Sequence, residues 1–452
     1  MITGLSAKNF KSWESLEGFK LAGLTGVFGA NSSGKTSIIQ LLLLLKQTVL
    51  SSNRFQVFDF GRSYVDLGSF KDIVFNHDVS KQFKFELQMQ LPRRHEIHDP
   101  EDAESILFDS ETLHFHCAVT STKKGAPLLD SFTYDFGGNL FKLGRKPDRS
   151  VVDLTHTGSP FQFKRTRGRK WELPLPVKFY GFPDQVWAYY QNARFLSDFE
   201  LLLEEQLRGL LYLGPIREFP QREYKWSGVE PNDMGMRGDK AVDALLASRE
   251  SGRKIGRGKG KKRMSVEEYV GFWLKELNLI HDFRVERIGD DSNLYRVMVK
   301  KTAHSPEVLI TDVGFGVSQL LPVLTICYYA PSGSTIIIEQ PEIHLHPVVQ
   351  AGLADVFIDA VKHNQVQIIV ESHSEYLLRR LQRRIAEQDL KESDAALYFC
   401  HHDGRKSILT SLELDLFGSI RNWPDGFFGN DIEEISKIHE AVKRRLHGVD
   451  SD

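Results

Sequence analysis

The opening residues alternate apolar and polar positions with the period of two that a strand shows, and a second apolar run, Leu21 to Phe28, follows. After a glycine-containing break the pattern turns helical from Lys35 to Val49, with its apolar run from Ser37 to Leu45. Strand, turn and helix in that order are how an α/β layer begins. Tyr64 to Phe70 carries no period and reads as a loop. From about Gln82 to Pro183 the pattern changes to short alternating strands with turn signals, for example Leu113 to Val119, Phe132 to Phe136 and Asn139 to Leu143. This is a mainly β insertion, with a helical return from Gln185 to Leu213.

The polar stretch Ser251 to Met264 has the composition of a flexible, solvated loop. Beyond it the pattern predicts a helix from Ser265 to Leu277, a hairpin across Gly289 to Asn293, and apolar strands at Thr335 to Ile338 and Val366 to Val370 alternating with helices. A closing helix is expected over Ile432 to Leu446. The chain is therefore α/β at both ends, and the β region interrupts one domain whose halves are distant in sequence. The expected organisation is 1–81 and 265–452 as those halves, 82–213 as the insertion and 214–264 as a connector with a basic loop. No repeat of solenoid length and no heptad run long enough for a coiled-coil arm is evident.

Composition narrows the classes. A chain of 452 residues with 41% hydrophobic content is long enough for a large core. Lys plus Arg (58) nearly balances Asp plus Glu (60), so any case for a nucleic-acid partner rests on local clusters. Cys117, Cys327 and Cys400 lie far apart without metal spacing and fit buried thiols in a reducing cytoplasm. The start has no apolar targeting region, and Ile38 to Leu45, broken by Gln40, is far too short to span a bilayer. A cytoplasmic protein without a membrane partner is the expectation.

The break between strand and helix carries the chemistry. It reads Gly29, Ala30, Asn31, Ser32, Ser33, Gly34, Lys35, Thr36, followed by Ser37, which is a complete phosphate-binding loop. Glycines let successive N–H groups turn inward at the positive end of a helix. Lys35 would neutralise the β- and γ-phosphates of ATP, and Thr36 would give its hydroxyl to Mg²⁺. The bland alternative is a glycine-rich turn with no ligand. Thr335 to Glu339 is a buried β-branched strand ending in a carboxylate, the position from which an acid holds the hydration shell of Mg²⁺. Glu339 is therefore the expected metal-side acid.

Glu339-Gln340-Pro341-Glu342-Ile343-His344-Leu345-His346-Pro347, followed by Glu371-Ser372-His373-Ser374-Glu375, resembles the acid, dimer-loop and switch-histidine segments of ABC-type ATPases of the OLD and SMC-like group. Lys8 to Trp13, Asp66-Leu67-Gly68, Tyr212 to Arg217 and Asn422 to Gly429 fit the same group. The resemblance implies an ABC-type P-loop ATPase head. It also implies a homodimer in which each ATP lies between the phosphate loop of one subunit and a signature segment of the other. The segment similar to that signature is Asp312 to Gln319. Gly314 stands where the group usually has Ser. Gly314 and Gly316 still offer backbone N–H groups, and Ser318 is a substitute hydroxyl.

Gln340 stands where the wider group has a Glu that polarises the attacking water. A carboxamide orients water but cannot take its proton, so hydrolysis should be slow or the base must be Glu342 or His373. His344 and His346 also admit a metal reading, but no third ligand is evident.

Two basic clusters bear on nucleic acid. Lys142 to Lys170 holds Arg145, Lys146, Arg149, Lys164, Arg165, Arg167 and Arg169 with Phe161, Phe163 and Trp171 interleaved, and reads equally as a phosphate-tracking surface or a solvated hairpin tip. Arg253 to Arg263 is glycine-spaced and open to the same two readings. Related OLD enzymes carry a nuclease domain after the ATPase, and the residues after His373 are too few for one. The expectation is a separate effector such as a nuclease, controlled by an ATP-driven switch in anti-phage defence. The rival is an SMC-like ATPase that clamps or repairs DNA.

Overall fold

A computed structural model of the chain describes residues 1–99, 102–146, 151–168, 172–258, 260–290, 292–424 and 436–443. Arg149, Arg169, Lys170, Trp171, Lys259, Asp291 and the segment Asp425 to Gly429 lie outside the described residues. Of the expected closing helix, 436–443 are helical and the remainder lies outside them as well.

Two antiparallel strands, β1 (Ile2–Phe10) and β2 (Trp13–Lys20), precede β3 (Leu24–Gly29) and the helix α1 (Lys35–Leu50). The opening alternation thus covers two strands where one was expected. The turn between them uses Asn9 (φ 58°) and Lys11 (φ 50°) rather than glycine or proline, so it leaves little trace in composition. In β2 the buried positions Trp13, Leu16 and Phe19 recur every third residue, which breaks the period of two.

Strands β4 (Phe83–Asp99), β5 (Asp102–Ser121), β6 (Pro127–Phe136), β7 (Asn139–Arg145) and β8 (Val152–Thr157) extend the sheet that β1 and β2 begin. Its order is β2-β1-β4-β5-β6-β7-β8, with β1 paired to β4 through Leu5 and Leu87. The expected β insertion is therefore continuous with the first twenty residues. One face of the sheet is lined by aromatics: Phe83 and Phe85 stack at 5.6 Å, and Phe115 meets Tyr134 at 4.9 Å. That face, α1 and the helix Leu196–Arg208 share one apolar core. Leu41 to Leu45 are all buried, which explains why α1 reads as continuously apolar rather than amphipathic.

The second large sheet runs Ser407–Ser411, Ala395–His402, β3, Gln367–Ser372, Thr335–Glu339 and β9 (Leu210–Leu213). All neighbours are parallel except the hairpin at the Ser407–Ser411 edge. Its central strands are buried from end to end, as parallel strands covered on both faces must be. Leu210–Leu213 corrects the expected helical return: four buried residues pair with Thr335–Ile338 as an edge strand. So short an apolar run has no period to separate strand from helix.

The stretch Ser251 to Met264 is also not the free loop expected of it. Lys254–Ile255 pairs with Met264–Ser265, and the Arg253 guanidinium donates to the carbonyls of Tyr329 (2.5 Å) and Ala330 (2.7 Å) and to Asn364 Oδ1 (3.2 Å). A cation on the last carbonyls of the helix Phe315–Tyr329 satisfies groups the helix cannot pair itself. Arg257 lies 3.9 Å from the centre of the Phe272 ring.

One ionisable group ties the β lobe to its helix. Glu200 accepts the Phe182 N–H at 2.5 Å, and burial pushes its carboxyl up from 4.5 to about 7. A raised acid favours the fold below its unfolded value and loses that contribution as pH climbs through the folded one. Melting temperature should therefore fall between about pH 4.5 and pH 7 through this group and be flat in it above. Glu200→Gln keeps the acceptor and removes the titration, so a thermal melt series should show a shallower pH slope over that window; identical slopes refute the assignment.

Candidate functional site

The phosphate loop is shaped by contacts that only glycine tolerates. Gly29 has φ 143°, and a Cβ there would sit 2.1 Å from the Cys400 carbonyl oxygen. Gly34 has φ 97°, and a Cβ would meet Ser407 Oγ at 2.4 Å. The loop is pinned from outside by the Trp13 indole N–H, which donates to the Gly34 carbonyl at 3.1 Å, and by a Ser407–Ser12 hydroxyl bond at 2.7 Å over Gly34. The first turn of α1 has neither a side-chain cap nor an acid. Its N–H groups and the positive end of its dipole are therefore available to an anion.

Lys35 is 3% exposed and folds back onto its own loop, donating to the carbonyls of Gly29 (3.0 Å) and Ala30 (2.7 Å). Burial pulls its ammonium below the ordinary lysine range, against the opposing charge of Glu371. A cavity of about 180 Å³ opens on this loop, bounded by Ser12, residues 31–37, Gln340, Glu371 and His373. Inside this region Ser33 Oγ and Glu371 Oε2 are buried without a partner. Orphaned polar atoms beside an uncapped helix start fit a phosphate group with its cation.

Three carboxylates meet here: Glu371 on the strand paired with β3, Glu339 at the end of the next strand, and Glu342 in the turn that follows it. Glu339 and Glu371 end adjacent parallel strands in direct register. Glu339 Oε1 accepts the Tyr212 hydroxyl at 2.9 Å, while the buried Arg217 guanidinium donates to the Glu339 main-chain carbonyl at 3.1 Å. Burial, and then the charge of Glu371, push the Glu339 carboxyl up to about 7. Glu371 is 1% exposed and its Oε1 accepts the Thr36 hydroxyl at 3.1 Å. Glu342 Oε1 accepts the His373 main-chain N–H at 2.6 Å, which fixes the histidine segment against the dimer-loop segment, while its Oε2 is buried without a partner. Burial, then the Lys35 charge, lower His373 from the ordinary histidine range, so the ring enters the pocket neutral.

Gln340, at φ 45°, lines the same cavity, its main-chain N–H donating to the Glu371 carbonyl at 2.8 Å. The signature residues lie elsewhere. Gly314 caps the helix Phe315–Tyr329 without a side-chain bond or an acid in the first turn, so a second helix start is open. Gly314, Gly316 and Ser318 do not line the cavity of the phosphate loop. Ser318, the expected substitute hydroxyl, is 5% exposed and donates to the Phe315 carbonyl at 2.8 Å. Phe315 is 41% exposed, with Phe219 and His344 rings at 5.6 and 5.3 Å.

Sequence reasoning passed over Glu371, Tyr212 and Arg217 as site residues. The signal for Glu371 was present: like Glu339, it closes a run of buried β-branched residues. In the basic cluster, Arg145 pairs with Asp130 (3.4 Å), Lys146 with Asp153 (3.0 Å), and Arg165 lies 5.6 Å from the Tyr190 ring centre, which favours the solvated-surface reading there. Among the described residues no group of three or more His, Cys, Asp or Glu is arranged to hold a metal ion. Among them, too, no helix is long and apolar enough to cross a membrane.

Three families match parts of the chain. Residues 260–378 match one described as "AAA ATPase domain", 24–97 one described as "AAA domain, putative AbiEii toxin, Type IV TA system", and 390–437 one described as "Protein of unknown function (DUF3696)". No curated protein matches the chain. Similar solved structures include an SMC head bound to the C-terminal winged-helix domain of ScpA, at 11% identity and TM-score 0.45, covering 92% of this chain and 98% of that one. The SMC head domain from Thermotoga maritima is 11% identical at TM-score 0.41, covering 91% and 99%. An SMC head with an extended coiled coil, bound to the C-terminal domain of ScpA derived from Pyrococcus furiosus, is 9% identical at TM-score 0.44, covering 98% and 99%. The phosphate loop after β3, the parallel strands beside it and the two AAA matches mark a mixed α/β fold that carries a P-loop ATPase domain.

Lys35→Ala removes the cation that answers the phosphates while leaving the loop carbonyls it now occupies free to solvent. ATP affinity measured by calorimetry should fall by roughly one to two orders of magnitude. Equal affinity in the two proteins refutes the site.

Proposed function

We propose that this chain is an ATP-binding, slowly hydrolysing ABC-type ATPase that dimerises on ATP and switches a separate effector. The observation that carries the reading is that one cavity gathers Lys35, Thr36, Glu371 and His373 around an uncapped helix start, with the carboxamide of Gln340 on its wall where the wider group has a carboxylate. Mg²⁺ would be held on the Thr36 side, where it supplies charge for the γ-phosphate and its leaving group. Gln340 would orient water through its carboxamide, and His373 would donate or accept one hydrogen bond at the γ-phosphate edge. Glu342, bonded to the His373 amide, positions rather than reacts. On this reading the halves 1–81 and 265–452 make the ATPase, and 82–213 with β1 and β2 form a lobe that couples it to a partner.

Dimerisation is supported by the open helix start at Gly314 and the exposed Phe315 and Phe219 beside it. They lie outside the pocket of their own subunit, where their N–H groups would complete the donors around a second copy's γ-phosphate. The effector role, in anti-phage defence, draws on the toxin-system description of the family matching residues 24–97. A DNA-clamping role of the SMC kind is the competing outcome. Salt-dependent DNA binding by the purified chain would establish it, and a co-purifying toxic effector would establish the switch.

Gln340→Glu places a proton acceptor beside the attacking water. Steady-state phosphate release should rise, by up to roughly 10²-fold or more, from a slow wild type. If the wild type is fast and indifferent to this change while Glu342→Gln or His373→Ala stops turnover, the base lies there instead.

Gly316→Asp sets a carboxylate against the incoming phosphate; a Cβ at Gly316 meets only ordinary contacts, at 3.6 Å from Leu345 and 3.8 Å from His344, so the variant should fold. Sedimentation should show the wild type tightening into a dimer with ATP and Mg²⁺ and the variant remaining as it is without nucleotide. The same assembly in all conditions rules out a shared site.

A further inference from the structure

The acid that sequence assigns to the metal side is Glu339, yet the carboxylate that touches the loop is Glu371. Its Oε1 accepts the hydroxyl of Thr36 at 3.1 Å, and its Oε2 is buried with no partner at all. The side chain is 1% exposed, so water does not answer that oxygen. The nearby cation does not answer it either, because Lys35 Nζ is spent on the Gly29 and Ala30 carbonyls. Glu339, by contrast, has Oε1 bonded to the Tyr212 hydroxyl. Arg217, the cation next to it, gives its one hydrogen bond to the Glu339 main-chain carbonyl and not to a carboxylate.

Two carboxylates in direct register on adjacent parallel strands, both buried and neither paired with a side-chain cation, are an arrangement that costs free energy unless a positive charge is supplied. We propose that Glu371 is an acid of the divalent-cation site, acting together with Thr36, so that the cation is held from two strand ends instead of one. Hard cations such as Mg²⁺ and Mn²⁺ take one or two carboxylates alongside substrate phosphates, which is the donor set that Thr36, Glu371, Glu339 and an ATP would make. Among the described residues no three His, Cys, Asp or Glu gather to hold an ion by themselves, so on this proposal the cation enters with its nucleotide. This inference rests on the ATP-site reading above.

The test compares ATP binding by the full chain in EDTA with binding in Mn²⁺, by calorimetry, with Mn²⁺ uptake followed independently by electron paramagnetic resonance in the presence of ATP. In EDTA, Glu371→Gln should bind ATP at least as tightly as wild type, because the phosphate loop is intact and a carboxylate has been removed from beside the phosphates. Mn²⁺ should strengthen wild-type binding, and Glu371→Gln should lose roughly 10- to 100-fold of Mn²⁺ affinity. Glu371→Asp keeps the charge and withdraws it by one methylene, so it should fall between the two and serves if the glutamine variant does not fold. Wild-type Mn²⁺ affinity in Glu371→Gln, or in Glu371→Asp where only that variant folds, overturns the proposal. A wild type that binds no ATP in either condition overturns the ATP-site reading and this inference with it, and is distinguishable because the first comparison fails before the second is made.

Discussion

The parallel register of three strands is the constraint from which the chemistry follows. Glu371 lies opposite Val27 on β3 and opposite Glu339 on the other side, so the residues that end three different segments arrive at one edge of one sheet. A slip of one position would turn each carboxylate to the opposite face. The apolar residues between them prevent it: Ile336, Ile337, Ile338, Ile368, Ile369 and Val370 are all at most 1% exposed, and no shifted pairing buries them as well. The hydrophobic core thus acts as the ruler that sets distances among charged groups it does not touch.

The antiparallel sheet has a different relation to the site. It contributes no carboxylate to the cavity, but the β1–β2 turn supplies Ser12 and Trp13, which hold the Gly34 end of the phosphate loop. Its aromatic face and the parallel sheet enclose α1, the helix whose first turn opens on the phosphate-loop cavity. A helix buried on so many sides cannot rotate to follow a ligand. Its N–H groups are set in advance, and little reorganisation is left for binding.

The phosphate loop and the Glu339 strand were legible in the sequence because both are local signals: glycines at fixed offsets, and a β-branched run closed by an acid. The first hairpin was not, since its turn uses Asn9 and Lys11 in left-handed conformations that composition does not advertise. Leu210–Leu213 was too short to carry a period. Arg253 was read as one charge in a solvated run because its partners, Tyr329, Ala330 and Asn364, are distant in sequence and two of the bonds are to carbonyls. Glu371 was quoted but given no task. Its significance depends on which strand it stands next to, and pairing order between distant segments is not encoded in either segment alone.

The bond between Ser12 and Ser407 joins residues 395 apart in sequence, and it lies over the glycine that starts α1. The loop's own residues are near the beginning of the chain, but the strand that packs against Gly29 through the Cys400 carbonyl, and the hairpin strand that carries Ser407, are near the other end. During synthesis the early segment therefore emerges with its motif and without its pocket. Contacts of such separation form late, after the entropy of closing the intervening chain has been met. A growing chain then completes the pocket only after residues 395–411 have been made, and a product truncated before them would carry the motif without its pocket.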